Sequence, residues 1–149
     1  MNNSQIAALF EELADIMEIA GENYLKIRAY RNAAVTISQL PQDLNQIPSE
    51  KISEIPGLGK AISEKIQGAL KNNTFPTLEK WRQSGYATFR PLLSLPEMNM
   101  RKLRTLIKRL DLTSINEFKK IKSDGSLDRQ IGLDEKTIES LATYLERIK

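Results

Sequence analysis

Apolar residues recur along most of the chain at three- and four-residue steps, the spacing of helices that bury one face. Ile6, Leu9, Phe10, Leu13, Ile16 and Met17 share such a face behind Asn3 and Ser4, which read as N-caps, and Gly21 closes this first helix. A second helix is expected from Tyr24 to Gln39, with Ile27, Tyr30, Ala34, Ile37 and Leu40 inward and Pro41 as its stop. Pro48-Ser-Glu-Lys-Ile opens a short helix that runs into Ile55-Pro-Gly-Leu-Gly. Past that turn, Ala61, Ile62, Ile66, Ala69 and Leu70 form the apolar side of a helix that ends in Lys71-Asn72-Asn73. After Phe75-Pro76 come a short helix with Trp81, a connection through Gly85 and another short helix around Leu92. Residues 99–111 set Leu103, Leu106, Ile107 and Leu110 against Arg101, Arg104 and Lys108 on the opposite face, and helices near 114–122 and 134–148 complete the chain. No segment alternates with the period of two that a half-buried strand needs. The fold class is therefore all-α, in two parts: a helical domain over residues 1–84 and a smaller helical region over 85–149.

The segment "EIPGLGKAISEKI", Glu54 to Ile66, carries the first chemical signal. An apolar residue, Pro, Gly, a second apolar residue and Gly between two helices make the helix-hairpin-helix pattern. Gly57 and Gly59 let backbone N–H groups approach a phosphate, and the next helix turns its positive end toward the same anion. Leu58 between them would plug into the core and stiffen the turn. Contacts of this kind fix position without reading bases. The plainer alternative is a tight helix–helix turn with no ligand.

Two eroded copies follow at intervals of some 35–40 residues, Leu95-Pro-Glu-Met-Asn and Gln130-Ile-Gly-Leu-Asp. The first substitutes Glu97 and Asn99 for the glycines, so direct amide–phosphate contact is not expected there. Arg101, Arg104 and Lys108 then either contact phosphate through their side chains or form a solvated basic face. The last copy has Asp134, read as the N-cap of the final helix, and is structural. "SDGSLD", Ser123 to Asp128, resembles a calcium loop only superficially and reads as an ordinary turn.

Composition narrows the chemistry. The 149 residues include no Cys and no His, which excludes disulfides, thiol catalysis, Cys/His zinc sites and any imidazole acid or base. The amino terminus lacks a signal peptide's basic and apolar regions, and no run reaches membrane-spanning length, so a cytoplasmic protein without a membrane partner is expected. Net charge is +3 but uneven: residues 1–50 carry −4, residues 51–90 carry +4 and residues 91–149 carry +3. Basic charge gathered after residue 50, with an isoelectric point near 9.1, is compatible with nucleic acid.

"GENYLKIRAYRNAA", Gly21 to Ala34, followed by "IPGLGKAISEKI", resembles the amino-terminal lyase domain of family X DNA polymerases, the group that includes DNA polymerase beta. The resemblance covers residues 4–82 well and continues more weakly to the end. It implies a compact helical domain that binds the 5′-phosphate side of gapped or nicked DNA. It also implies that Lys65 attacks the aldehyde of a 5′-deoxyribose phosphate, forms a Schiff base and releases the phosphate by β-elimination. Lys26, Tyr30 and Arg31 match the family's phosphate-binding segment, Lys60 adds charge at the turn, and Glu64 follows the pattern. Two departures thin the cationic pocket: Ala61 stands where animal members have a second lysine, and Leu25 where they have a histidine. No cofactor is required, although carbonyls of Ser53, Ile55 and Leu58 match positions that hold a monovalent cation, Na+ or K+. The family's metal-binding nucleotidyltransferase region has no counterpart in this sequence, so polymerisation by this chain alone is not expected. The leading expectation is a sequence-independent DNA-binding module of repair type. The alternatives are an active lyase and a module that binds a protein partner through residues 85–149.

Overall fold

The computed structural model describes residues 1–123 and 133–148, which are helical throughout apart from turns and connections and contain no strand. The α-helices are α1 (Asn3–Ile19), α2 (Tyr24–Ser38), α3 (Ser49–Ile52), α4 (Lys60–Asn72), α5 (Pro76–Arg82), α6 (Met100–Leu110), α7 (Ile115–Ser123) and α8 (Glu135–Arg147). Tighter 3₁₀ segments span Leu44–Gln46 and Gly85–Ser94. The all-α reading holds. None of the described helices is long and apolar enough to cross a membrane.

The start of α1 differs from expectation. Asn2, not Asn3 or Ser4, caps it: Asn2 Oδ1 accepts the Gln5 N–H at 2.8 Å and Gln5 Oε1 accepts the Asn2 N–H at 2.8 Å. This reciprocal arrangement satisfies two amides at once. Asn3 is engaged elsewhere, accepting from the Leu44 N–H and donating to the Gln42 carbonyl, both at 2.9 Å. It thereby ties the segment after α2 to α1.

Two compact units result, one formed by Met1–Glu18 with Glu22–Gln83, the other by Ile19–Gly21 with the chain from Ser84 onward. The core of the first contains Ile6, Phe10, Leu13, Ile37, Leu58, Ile66 and Phe75, with Phe10 stacked on Phe75 at 5.2 Å. Its helices are also joined by charge. Arg82 holds Glu12 through two bonds of 2.6 and 2.8 Å, and Arg31 bridges Glu11, Asp15 and Glu18 at 2.8–3.0 Å. Ala61, expected to face inward, is exposed, and Ser63 takes the buried position one turn before Ile66 and Gln67. Its hydroxyl accepts from Gln67 Nε2 at 3.2 Å, so burial leaves no orphaned polar atom.

The second unit packs Phe89, Leu92, Leu103, Phe118, Leu141 and Leu145. On α6, Leu103, Leu106 and Ile107 are buried while Arg101, Arg104 and Lys108 are exposed, as the spacing requires. Most of "SDGSLD" and the Gln130-Ile-Gly part of the third copy lie outside the described residues.

Candidate nucleic-acid interface

The turn between α3 and α4 is built from the buried side chains outward. Ile52 and Leu58 are fully buried, anchoring the end of α3 and the middle of the turn. The Ile55 N–H donates to the Ile52 carbonyl at 3.1 Å and the Leu58 N–H to the Ile55 carbonyl at 2.9 Å, which closes the turn. Gly57 has φ +92, and a Cβ there would stand 2.9 Å from Thr36 Oγ1. The backbone angle favours glycine, and the close approach to α2 leaves no room for a side chain.

Gly59 is different in kind. Its backbone is extended, at φ −66 and ψ −178, and it is the N-cap of α4. It has no side chain to cap the first amides, and a Cβ there would meet nothing within 4 Å. The α4 N-terminus is therefore uncapped, unobstructed and beside the exposed Lys60. Unpaired N–H groups and the positive end of the helix dipole converge on that open space.

Tyr30 and Lys65 meet. The Lys65 ammonium lies 5.7 Å from the centre of the Tyr30 ring, and that ring lies 6.1 Å from the ring of Phe10. A chain of ring contacts thus runs from core Phe75, stacked on Phe10, through the tilted Phe10–Tyr30 pair to the half-buried Lys65. Lys26 is exposed near the start of α2, beside Tyr24 and Leu25, whose exposures of 69% and 72% leave them the most open large apolar side chains of that helix. The sequence pattern signals them only by elimination, since neither falls on the inward face marked by Ile27, Ala34 and Ile37.

Arg31 does not join this group as expected. Its guanidinium is already engaged by Glu11, Asp15 and Glu18. Burial lowers its pKa, but the bonds to Glu18 and Asp15 outweigh that and raise it. A cation surrounded by three carboxylates is a structural tie between helices and has little left for a phosphate.

The second turn, Leu95-Pro-Glu-Met-Asn, repeats the backbone of the first despite losing its glycines. Glu97 has φ +69 where Gly57 has +92, and the Met98 N–H donates to the Leu95 carbonyl at 3.1 Å. Met98 is buried in the place of Leu58, and Asn99 is an extended N-cap in the place of Gly59. Unlike Gly59, Asn99 fills its helix end by accepting the Lys102 N–H at 2.9 Å. The Lys102 ammonium donates to the Glu97 carbonyl at 2.6 Å and to Thr137 Oγ1 at 3.2 Å, with the Asp134 carboxylate at 3.6 Å. The buried Thr137 hydroxyl bonds to Asp134, which, with Lys102, holds that carboxyl below its usual range. Sequence reasoning did not single out Lys102 or Thr137. An asparagine directly before an apolar helical run was the available sign that this helix end is capped.

A family model described as a helix-hairpin-helix domain matches residues 1–75, which contain α1 to α4 and the glycine turn. The chain belongs to the helix-hairpin-helix family. It is also 26% identical over 145 residues, 97% of its length, to "DNA polymerase/3′-5′ exonuclease PolX" of Bacillus subtilis strain 168. The chain spans a quarter of the length of that relative. The family X resemblance thus extends beyond the helix-hairpin-helix match into the region of the second turn.

Proposed function

We propose that this chain is a sequence-independent DNA-binding module that grips a backbone phosphate at the Gly57–Gly59 turn and prefers gapped or nicked DNA with a 5′-phosphate. The observation that carries the reading is the uncapped, unobstructed start of α4 at Gly59. Membership of the helix-hairpin-helix family and the likeness to a DNA polymerase support it. In this reading the phosphate takes the place a cap would fill, accepting from the first amides of α4 while Lys60 adds charge. Because the donors are main-chain groups, base identity has no influence. Among the described residues no turn or cap N–H donates to the carbonyls of Ser53 or Leu58, and that of Ile55 accepts one from Leu58, so all three retain lone pairs that suit Na+ or K+. Such an ion would lend the turn further positive charge.

Lys26 is proposed to select the 5′-phosphate. It is exposed and has no ion pair among the described residues, so its charge is available to a terminal group. The test compares a gapped duplex bearing a 5′-phosphate with the same duplex bearing a 5′-hydroxyl. Tighter binding of the phosphate form, a difference erased by Lys26→Ala, is expected. Equal affinities in the unaltered protein would remove the end-selective part of the proposal.

A second reading, lyase activity, rests on the Lys65–Tyr30 contact. Lys65 is half-buried in the second turn of α4, the helix that begins at the proposed phosphate-binding turn, with its ammonium 5.7 Å from the centre of the Tyr30 ring. The Lys65 amine would add to the sugar aldehyde, lose water to form an imine, and so acidify the C2′ proton. Transfer of that proton to water then breaks the C3′–O bond, the oxygen leaves as the 5′-phosphate of the downstream strand, and hydrolysis of the remaining imine frees Lys65. Borohydride should trap the adduct on DNA with an incised abasic site, and both Lys65→Ala and Lys65→Arg should abolish it, since a guanidinium is not a usable nucleophile. Persistence of the adduct in both variants would assign the chemistry to another amine.

A further inference from the structure

The two turns share one backbone, yet only the first is open, and the contrast identifies which residues restrict phosphate contact. We infer that the second turn is latched by its own side chains, with Glu97 and Asn99 as the pair that confines amide–phosphate binding to the first turn. The inference deepens the proposed DNA binding and rests on it for its functional consequence.

Asn99 Oδ1 occupies the Lys102 N–H at 2.9 Å, where the first turn leaves its amides free. Glu97, exposed and at φ +69, brings a carboxylate side chain to the chain position that Gly57 holds in the first turn. Its own carbonyl is held from within by the Lys102 ammonium at 2.6 Å, and Thr137 Oγ1 stands 3.2 Å away. The ammonium sits on α6 and the hydroxyl on α8, so the latch also fastens the turn to the last helix. Met98 remains buried, at 9% exposure, and the closing hydrogen bond to Leu95 is intact. The turn backbone has therefore been kept while one of its helix-end donors, the Lys102 N–H, has been filled and a negatively charged side chain added. Either change alone leaves the other barrier standing. With Asn99 removed the turn still carries the negative charge of Glu97, and with Glu97 removed the Lys102 amide is still occupied.

The test is a double-mutant cycle of Glu97→Gly and Asn99→Gly, read as affinity for an intact duplex against salt concentration. Each single variant should change affinity by less than about twofold, and the pair by about tenfold, with a steeper salt dependence equivalent to about one added phosphate contact. A gain in the pair no larger than the product of the singles, or an unchanged salt slope, would overturn the latch. Amide exchange supplies an arm that needs neither DNA nor the double variant. The Lys102 N–H should exchange slowly in the unaltered protein and quickly in Asn99→Gly, and equal rates would also overturn the latch. Absence of duplex binding by the unaltered protein at low salt would instead sink the DNA reading and leave the exchange result to judge the latch.

Discussion

Gly57 and Gly59 lie two positions apart and do different work. Gly57 serves the fold: its φ of +92 disfavours any side chain, and Thr36 would stand 2.9 Å from a Cβ. Gly57→Ala should destabilise the protein by about 1–2 kcal/mol through the left-handed backbone, plus whatever the Thr36 contact adds, measured by urea unfolding. Glu97 tolerates a similar angle at φ +69, so the turn itself does not forbid a side chain. At the first turn the nearby Thr36 makes glycine obligatory. At Gly59 neither the backbone angles nor the surroundings require glycine, which is why the proposed phosphate contact is assigned there. The sequence motif treats both glycines alike. Separating them needed the position of Thr36, a residue 21 places earlier on another helix.

At the level of elements, the apolar period reveals nearly every helix, because each buries one face and the caps and stops are local. What it does not reveal is which polar residue completes which end. Asn2 caps α1 while Asn3 reaches across to Leu44, a choice set by tertiary contact. Arg31 shows the same limit, as the motif "KIRAYR" groups it with Lys26 while the fold turns it toward α1. Arg31→Ala should therefore cost about 1–2 kcal/mol, discounted for its partial exposure, and leave DNA affinity nearly unchanged. A large loss of affinity at constant stability would return Arg31 to the interface. Part of the acid sensitivity belongs to α5, where the Thr74 hydroxyl and then Arg82 hold the Glu79 carboxyl below its ordinary 4.5. A depressed folded-state pKa contributes stability above the unfolded value and loses it as pH falls through the lowered one. Melting temperature should consequently fall less steeply below about pH 4.5 in Thr74→Val than in the unaltered protein, and identical acid slopes would refute this assignment.

For the whole molecule, the division near Gln83 and Ser84 gives each turn its own unit and its own core. The open turn, Lys26, Tyr30 and Lys65 all belong to the first unit, although residues 1–50 are net acidic. Much of that acidity is spent internally on Arg31 and Arg82, which charge counting along the sequence cannot foresee. A fragment of residues 1–83 should therefore unfold cooperatively and retain most of the affinity for a gapped, 5′-phosphorylated duplex. A folded fragment that no longer binds would move the main contact to the second unit. Gly59 offers the most direct test of phosphate binding, because a side chain there enters open space and should close the helix end without disturbing the fold. The decisive measurement is the affinity of the unaltered protein and of Gly59→Val for the gapped duplex across a series of salt concentrations, with urea unfolding of both. The expected result is equal stability, weaker binding by Gly59→Val and a log–log salt slope shallower by about one phosphate contact. Equal affinity and equal slope in two equally stable proteins would contradict phosphate binding at the first turn.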